Sequence, residues 1–308
     1  MIARPTRSDW LLLLALGFMW GTSYVFIKLG VQTLPTFTLI AARLGIGLAL
    51  LATVVAFAHE PLPREPRIYG HLVVMSVISI ALPFALITTA ERSVDSAVAA
   101  VLNGSIPLFV IVLAALFLHD EPLTVNRLLG LGVGYVGVIV LVSRSLGASG
   151  SALSGELALV LSTLSYAAGG VYARRNVRGL RPMIPALFQV GFAFVIVTVI
   201  ALFTEQPWKV SWSPDAIIAV VWLGILGSGL AYLANFRLLA RIGATGTSLV
   251  AYVLPIVGIA SGALMFGEVV GLRIVVGTGL IIGGIALVNS RFGQRRLFRR
   301  TPPTREPG

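Results

Sequence analysis

One charge interrupts the apolar run from Thr36 to Ala58, and that charge is Arg43. It stands seven residues into the run, which at a helical rise of 1.5 Å per residue is roughly 10 Å of depth. A guanidinium so far inside hydrocarbon costs about 2.5 kcal/mol or more unless it faces a wet or polar interior. Its planar fork of donors suits a carboxylate or a phosphate, bound bidentately. Backbone carbonyls of neighbouring helix ends, or lipid headgroups reached by snorkelling, would also satisfy it. The residue alone leaves these three open.

The other side chains with chemistry to offer inside apolar runs are few. Trp20, Tyr24 and Tyr166 can stack on a ligand and present one polar tip each, although rings near a membrane surface also serve as anchors. Asn103, Gln189, Asn235 and Tyr252 could contact a substrate, or could be satisfied by a neighbouring helix at about 0.6 kcal/mol per bond. Pro83, Pro107 and Pro255 each remove a helix hydrogen bond, which makes them candidate hinges as well as candidate static kinks.

All twelve carboxylates lie in loops or at the ends of apolar runs. With none at the midplane, where a proton relay keeps one, the sequence favours facilitated diffusion, exchange, or a proton carried by the substrate. Glu91 and Asp95 stand at the outer end of their runs, and Glu121 and Glu268 are expected early in the helices that follow, where a carboxylate stabilises a helix N-terminus.

Catalysis finds little support. His59, His71 and His119 are too scattered for a metal motif, and Gly227-Ser228-Gly229 has no histidine or aspartate in a span to activate its hydroxyl. There is no cysteine, so disulfides and thiolate chemistry are excluded. No cofactor or metal is implied, and the chain is not expected to be an enzyme.

The elements that must position these residues are membrane spans. With 57% hydrophobic and 11% charged residues and a mean hydropathy of +0.94, the chain departs from the makeup of a soluble domain. A helix crosses the hydrocarbon in about 20 residues, and ten runs qualify. They are 10–27, 36–58, 68–90, 96–119, 128–143, 157–173, 182–204, 216–236, 242–267 and 274–290. The first carries Trp20 and Tyr24 and lacks a small-residue cleavage pattern, so it is a span rather than a removable signal.

The runs form two sets of five. Glu121, Gly130, Gly132, Gly137, Ser143 and Arg144 recur 147 residues later as Glu268, Gly277, Gly279, Gly284, Ser290 and Arg291. Trp20 and Lys28 align with Tyr166 and Arg174, and Pro107 with Pro255. An odd number of spans per copy inverts the second copy, the construction of secondary transporters. The recurring glycines suit close helix packing. The domains are therefore 10–144, 153–291 and a basic tail, 292–308, expected to be disordered.

Lysines and arginines set the orientation. With the N-terminus in the cytoplasm, the inner segments hold 17 of them and the outer loops 5. That bias places both termini inside. The net charge of +11 is thus spread over membrane flanks and the tail. It does not form the basic face of a nucleic-acid binder.

Trp20-Gly21-Thr22-Ser23-Tyr24 with Lys28, followed by Pro35 and Arg43, resembles the opening of EamA-type members of the drug/metabolite transporter superfamily. Pro107 with Glu121, and Pro255 with Glu268, resemble the close of that family's two repeats. The resemblance spans roughly Trp10 to Arg291. It implies an all-α membrane protein of ten helices in two inverted five-helix repeats, with a substrate cavity between them and alternating access. Such proteins commonly export amino acids, other metabolites or toxic compounds, and relatives move nucleotide sugars or sugar phosphates.

The chain departs from the pattern at Gln189 and Val190, where a second arginine would stand, so whatever Arg43 does belongs to one repeat. The expected function is export of a small metabolite across the inner membrane. Exchange of a sugar phosphate or nucleotide sugar and drug efflux are the alternatives, and a polytopic enzyme or a scaffold is remoter. The expected partners are a small-molecule substrate and membrane lipid, with no nucleic acid, and a homodimer stays open.

Overall fold

The computed structural model describes residues 6–118, 124–146, 151–177, 180–181 and 183–290. The basic tail from Arg291 lies outside them, as do His119, Asp120 and Glu121. The described chain folds into α1 (Arg7–Gly30), α2 (Thr36–Phe57), α3 (Pro66–Ala90), α4 (Ser96–Phe117), α5 (Val125–Leu146), α6 (Ser151–Asn176), α7 (Met183–Thr204), α8 (Pro214–Gly243), α9 (Val250–Phe266) and α10 (Leu272–Asn289). Nine of these are long and apolar enough to cross a membrane, and α9 is a shorter apolar helix.

Backbone geometry explains the short one. The run expected at 242–267 is broken at Gly243, whose φ of 72° and ψ of 178° end α8. Residues 244–247 are helical on the far side of that break and lead into α9. A glycine adopts such a φ without the Cβ penalty that other residues carry.

The surface of the bundle is apolar. Phe203 and Leu264 are 85% exposed, the side chains a bilayer would cover. Polar groups gather inward and at the helix ends, with Arg43, Glu91, Asn103, Glu156 and Gln189 all buried.

Close packing rests on small residues. Where α5 crosses α10, a Cβ added to Gly130 would lie 2.6 Å from the Gly284 carbonyl oxygen, and one added to Gly137 would lie 2.8 Å from that of Gly277. Gly130, Gly137, Gly277 and Gly284 thus bring two backbones into contact, as expected from the sequence, whereas Gly132 and Gly279, expected to pack in the same way, have nothing within 4 Å. The other packed pairs include α1 with α8 and α9, α2 with α7 and α8, α3 with α6 and α7, and α4 with α6 and α9.

Three helices depart from regular geometry. Val77–Ala81 within α3 and Leu223–Leu230 within α8 are π-helical. Pro83 follows the first of these, so the widened turn absorbs the hydrogen bond that proline cannot make. In α4 the helix breaks at Ser105, and Pro107 begins the second half. Pro255 lies inside α9.

Candidate functional site

Arg43 is the centre of a polar cluster within the bundle. It is 3% exposed. Its Nε donates to the Ser228 hydroxyl at 3.2 Å, and its guanidinium lies 4.3 Å from the centre of the Phe84 ring, a cation–π contact. Tyr24, Tyr166 and Tyr232 are within its electrostatic reach. Nη1 and Nη2 have no acceptor among the described residues. Four N–H groups of a planar fork therefore remain free.

Local backbone explains how Ser228 arrives there. It lies in the π-helical stretch of α8, and α8 crosses α2 at two glycines. A Cβ on Gly47 would come within 2.7 Å of Ser228 Cβ, and one on Gly224 within 2.6 Å of Ile46 Cβ. The same stretch offers the Gly227 carbonyl to Trp20 Nε1 at 3.3 Å. Trp20 also meets Tyr232 edge-on, with ring centres 6.2 Å apart. The result is one cationic fork among aromatic rings from α1, α3, α6 and α8, an arrangement that can receive an anionic group on a mostly apolar body.

The EamA-like transporter family model matches residues 8–143 and again residues 153–290. The chain belongs to this family. Among relatives of this EamA-like transporter, an uncharacterised transporter, YoaV, of Bacillus subtilis (strain 168) is 23% identical, over 92% of this chain and 98% of its own. An uncharacterised inner membrane transporter, YedA, of Escherichia coli (strain K12) is 27% identical, over 90% of this chain and 89% of its own. A probable amino-acid metabolite efflux pump of Salmonella typhimurium (strain LT2) is 24% identical, over 96% of this chain and 99% of its own. One crystal structure shares the fold, with a TM-score of 0.67 at 20% identity over 92% of this chain and 97% of that one. The chain is a multi-pass membrane protein whose relatives are transporters.

Of the eight residues singled out from the sequence of this EamA-like transporter, four gather at one place: Arg43, Trp20, Tyr24 and Tyr166. Among the described residues, none of the other four hydrogen-bonds to the guanidinium. Asn103 donates to the Ala99 carbonyl and accepts from Ser162, bracing α4 against α6. Tyr252 accepts from Asn289 at 3.2 Å, at the end where the chain begins. Gln189 is buried on α7, and Asn235 is half-buried on α8.

Ser228, Phe84 and Tyr232 were not found from the sequence. A serine between glycines carries no signal of its own, and only the crossing of α2 with α8 reveals its role. A cavity of about 380 Å³ between α2 and α7, lined by Thr38, Ala42, Phe194, Thr198 and Trp212 among others, does not include Arg43.

The end of this EamA-like transporter opposite the N-terminus is tied by polar bonds. Lys28 Nζ donates to the Val94 carbonyl at 2.7 Å, and Arg92 Nη2 to that of Leu34 at 3.0 Å. Glu205 accepts from the N–H groups of Phe37 and Thr38 at 2.9 and 2.7 Å. Glu268 accepts from those of Ser96 and Ala97 at 2.8 and 2.9 Å, and from the Ser96 hydroxyl at 2.8 Å.

Glu268 corrects an expectation. It precedes α10 rather than lying early in it, and it caps the N-terminus of α4, not of its own helix. Gly267, left-handed at φ 63°, turns the chain so that the carboxylate reaches back. Glu121, the matching residue, lies outside the described residues.

Proposed function

We propose that this EamA-like transporter exports a small carboxylate-bearing metabolite, an amino acid or a related compound, across the inner membrane by alternating access. The observation that carries this reading is the Arg43 fork. It has four unclaimed N–H groups, sits beside aromatic rings, and is too deep for headgroups to be its ordinary partner. The named function of the Salmonella relative, probable efflux of amino-acid metabolites, points the same way.

The transport mode rests on two inverted repeats, 10–144 and 153–291, with both termini cytoplasmic. The packing supports this. Exchanging each helix for the one five places along turns the α1–α9 pair into α6–α4, α3–α6 into α8–α1, and α2–α8 into α7–α3. All of these pairs are packed, and α2–α7, α4–α9 and α5–α10 map onto themselves. The two π-helical stretches also fall on exchanged helices, α3 and α8. Pro107 and Pro255 lie on the crossing helices α4 and α9, where Pro255 Cγ would meet a Cβ on Gly104 at 2.7 Å. With Pro83 they are the points at which the helices flex.

In this orientation the tied end is the outer one. The four bonds there join α1, α2 and α9 to α3, α4 and α7. At the inner end, Asp9–Arg241 links α1 to α8 and His71–Tyr172 links α3 to α6, each within one group of helices. Among the described residues, Arg181–Glu60 crosses the groups at this end, with the Arg181 side chain 67% exposed. The bonds across the groups at the outer end support reading this form as closed to the outside.

The test is a thermal-stability screen of the purified protein against amino acids, organic acids, sugar phosphates and hydrophobic amines, repeated on Arg43→Ala. Stabilisation by a carboxylate that disappears in the variant is expected. A phosphate-specific response would move the reading to sugar-phosphate exchange. The aromatic ring of the site makes drug efflux the second reading, and stabilisation by amines alone, unchanged in Arg43→Ala, would establish it instead.

A further inference from the structure

Between the outer ties and the Arg43 cluster lies a carboxylate that neither uses. Glu91 is 0% exposed, and neither of its oxygens has a hydrogen-bond partner. It ends α3, where its own N–H donates to the Ile87 carbonyl, so its side chain stands at the negative pole of that helix. A buried, unpaired negative charge at that position is strongly disfavoured. We propose that Glu91 is a proton-operated latch on the outer closure: it holds a proton while the outer end is closed and gives it up when that end opens. This rests on the alternating-access reading above.

The groups around Glu91 agree with a neutral carboxyl in the closed state. From α1, Lys28 has committed its ammonium to the Val94 carbonyl, and Tyr24 stands one turn deeper. After α9, Glu268 is held by three donors from α4 and adds a second negative charge nearby. From α2, Arg43 is turned to Ser228 and Phe84. On the loop that follows Glu91, Arg92 is engaged by the Leu34 carbonyl, and Asp95 precedes α4. On α6, Gly155 packs against Ala90 and Val94, and the adjacent Glu156 pairs with Arg273. Burial pushes the Glu91 carboxyl well above the usual carboxylate range, with Lys28 drawing it the other way and Glu268 adding to the rise.

Opening the outer end admits water and frees Lys28 from Val94. The Glu91 proton then passes to water, and the carboxylate is held by the Lys28 ammonium. Closing reverses this and takes up one proton from outside. A metal cation is a poor occupant, since Lys28 already supplies the positive charge and Glu268 is spent on α4.

The sign follows from linkage. A proton bound more tightly in the closed state stabilises that state at low pH, and the advantage fades as pH rises through the raised pKa.

Because the chain has no cysteine, a single Ala97→Cys reports the outer closure, Ala97 being fully buried beside Glu268. Maleimide labelling of this protein in nanodiscs is followed from about pH 5 to about pH 9, normalised to the exposed Gln32→Cys to remove the thiol's own ionisation. Labelling is expected to rise severalfold with pH. Adding Glu91→Gln should leave the site protected and independent of pH, and adding Lys28→Met should move the midpoint to higher pH.

The proposal is overturned if the Ala97→Cys parent shows no pH response, or if Glu91→Gln retains one. Sodium acting in place of the proton at fixed pH overturns it as well. The parent and the Lys28 variant carry the test should Glu91→Gln not fold. Glu268→Ala serves as the control, since it should raise labelling at every pH. If it does not, the alternating-access reading fails. If it does while the Glu91 arms fail, only the proton assignment is lost.

Discussion

At the scale of single residues the account turns on how Arg43 is held. Ser228 fixes Nε and Phe84 supports the plane, so the fork is oriented before a ligand arrives, which lowers the cost of binding. Lysine keeps the charge but not the planar pair of donors. Arg43→Lys should therefore weaken ligand affinity by at least about tenfold, the equivalent of losing one charge-assisted hydrogen bond of about 1.5 kcal/mol. Ser228→Ala frees Nε without removing the charge and should cost about 1 kcal/mol, or roughly fivefold. Isothermal titration with the ligand from the stability screen checks both, and equal affinity in Arg43→Lys would remove bidentate recognition from the account. Arg43 was legible in the sequence because a charge inside an apolar run is costly and therefore conspicuous. Ser228, Phe84 and Tyr232 were not, because a serine, a phenylalanine and a tyrosine in a membrane helix are ordinary until another helix brings the guanidinium to them.

At the scale of elements, hydropathy located most of the helices to within a few residues, since the thickness of hydrocarbon sets their length, but it began the sixth six residues late and ended the eighth seven residues early. It misplaced the start of the ninth run, because Gly243 ends α8 by a backbone angle that no apolar pattern records. It also could not see that Gly267 turns Glu268 onto a different helix. Close packing was read correctly at Gly130, Gly137, Gly277 and Gly284 but not at Gly132 and Gly279, and the crossing of α5 with α10 gives a prediction. Gly137→Leu would drive a side chain into the Gly277 carbonyl and Ile281, and overpacking of this kind costs about 1–3 kcal/mol. Thermal unfolding in detergent should show a clear drop in Tm, whereas Gly132→Leu, at a position with nothing within 4 Å, should leave Tm nearly unchanged. Equal effects at both positions would mean that α5 and α10 are not in backbone contact.

At the scale of the whole molecule, the end opposite the N-terminus, which is the outer end in the proposed orientation, is tied across the two groups of helices. Neutralising Glu205 or Glu268 leaves the N-termini of α2 or α4 without their acceptors, so Glu205→Ala and Glu268→Ala should each shift the population toward the outward-open form. A spin-label pair spanning the outer end would report longer distances in both variants, and unchanged distances would remove these carboxylates from the closure. The central claim, however, is that one carboxylate held at Arg43 is carried across the membrane. The most direct measurement is efflux from proteoliposomes preloaded with the labelled carboxylate that stabilises the protein best, comparing the parent with Arg43→Ala. The account predicts protein-dependent efflux that the substitution abolishes while the variant stays folded and inserted. Efflux at the parent rate from Arg43→Ala would contradict it and leave the arginine a brace between helices.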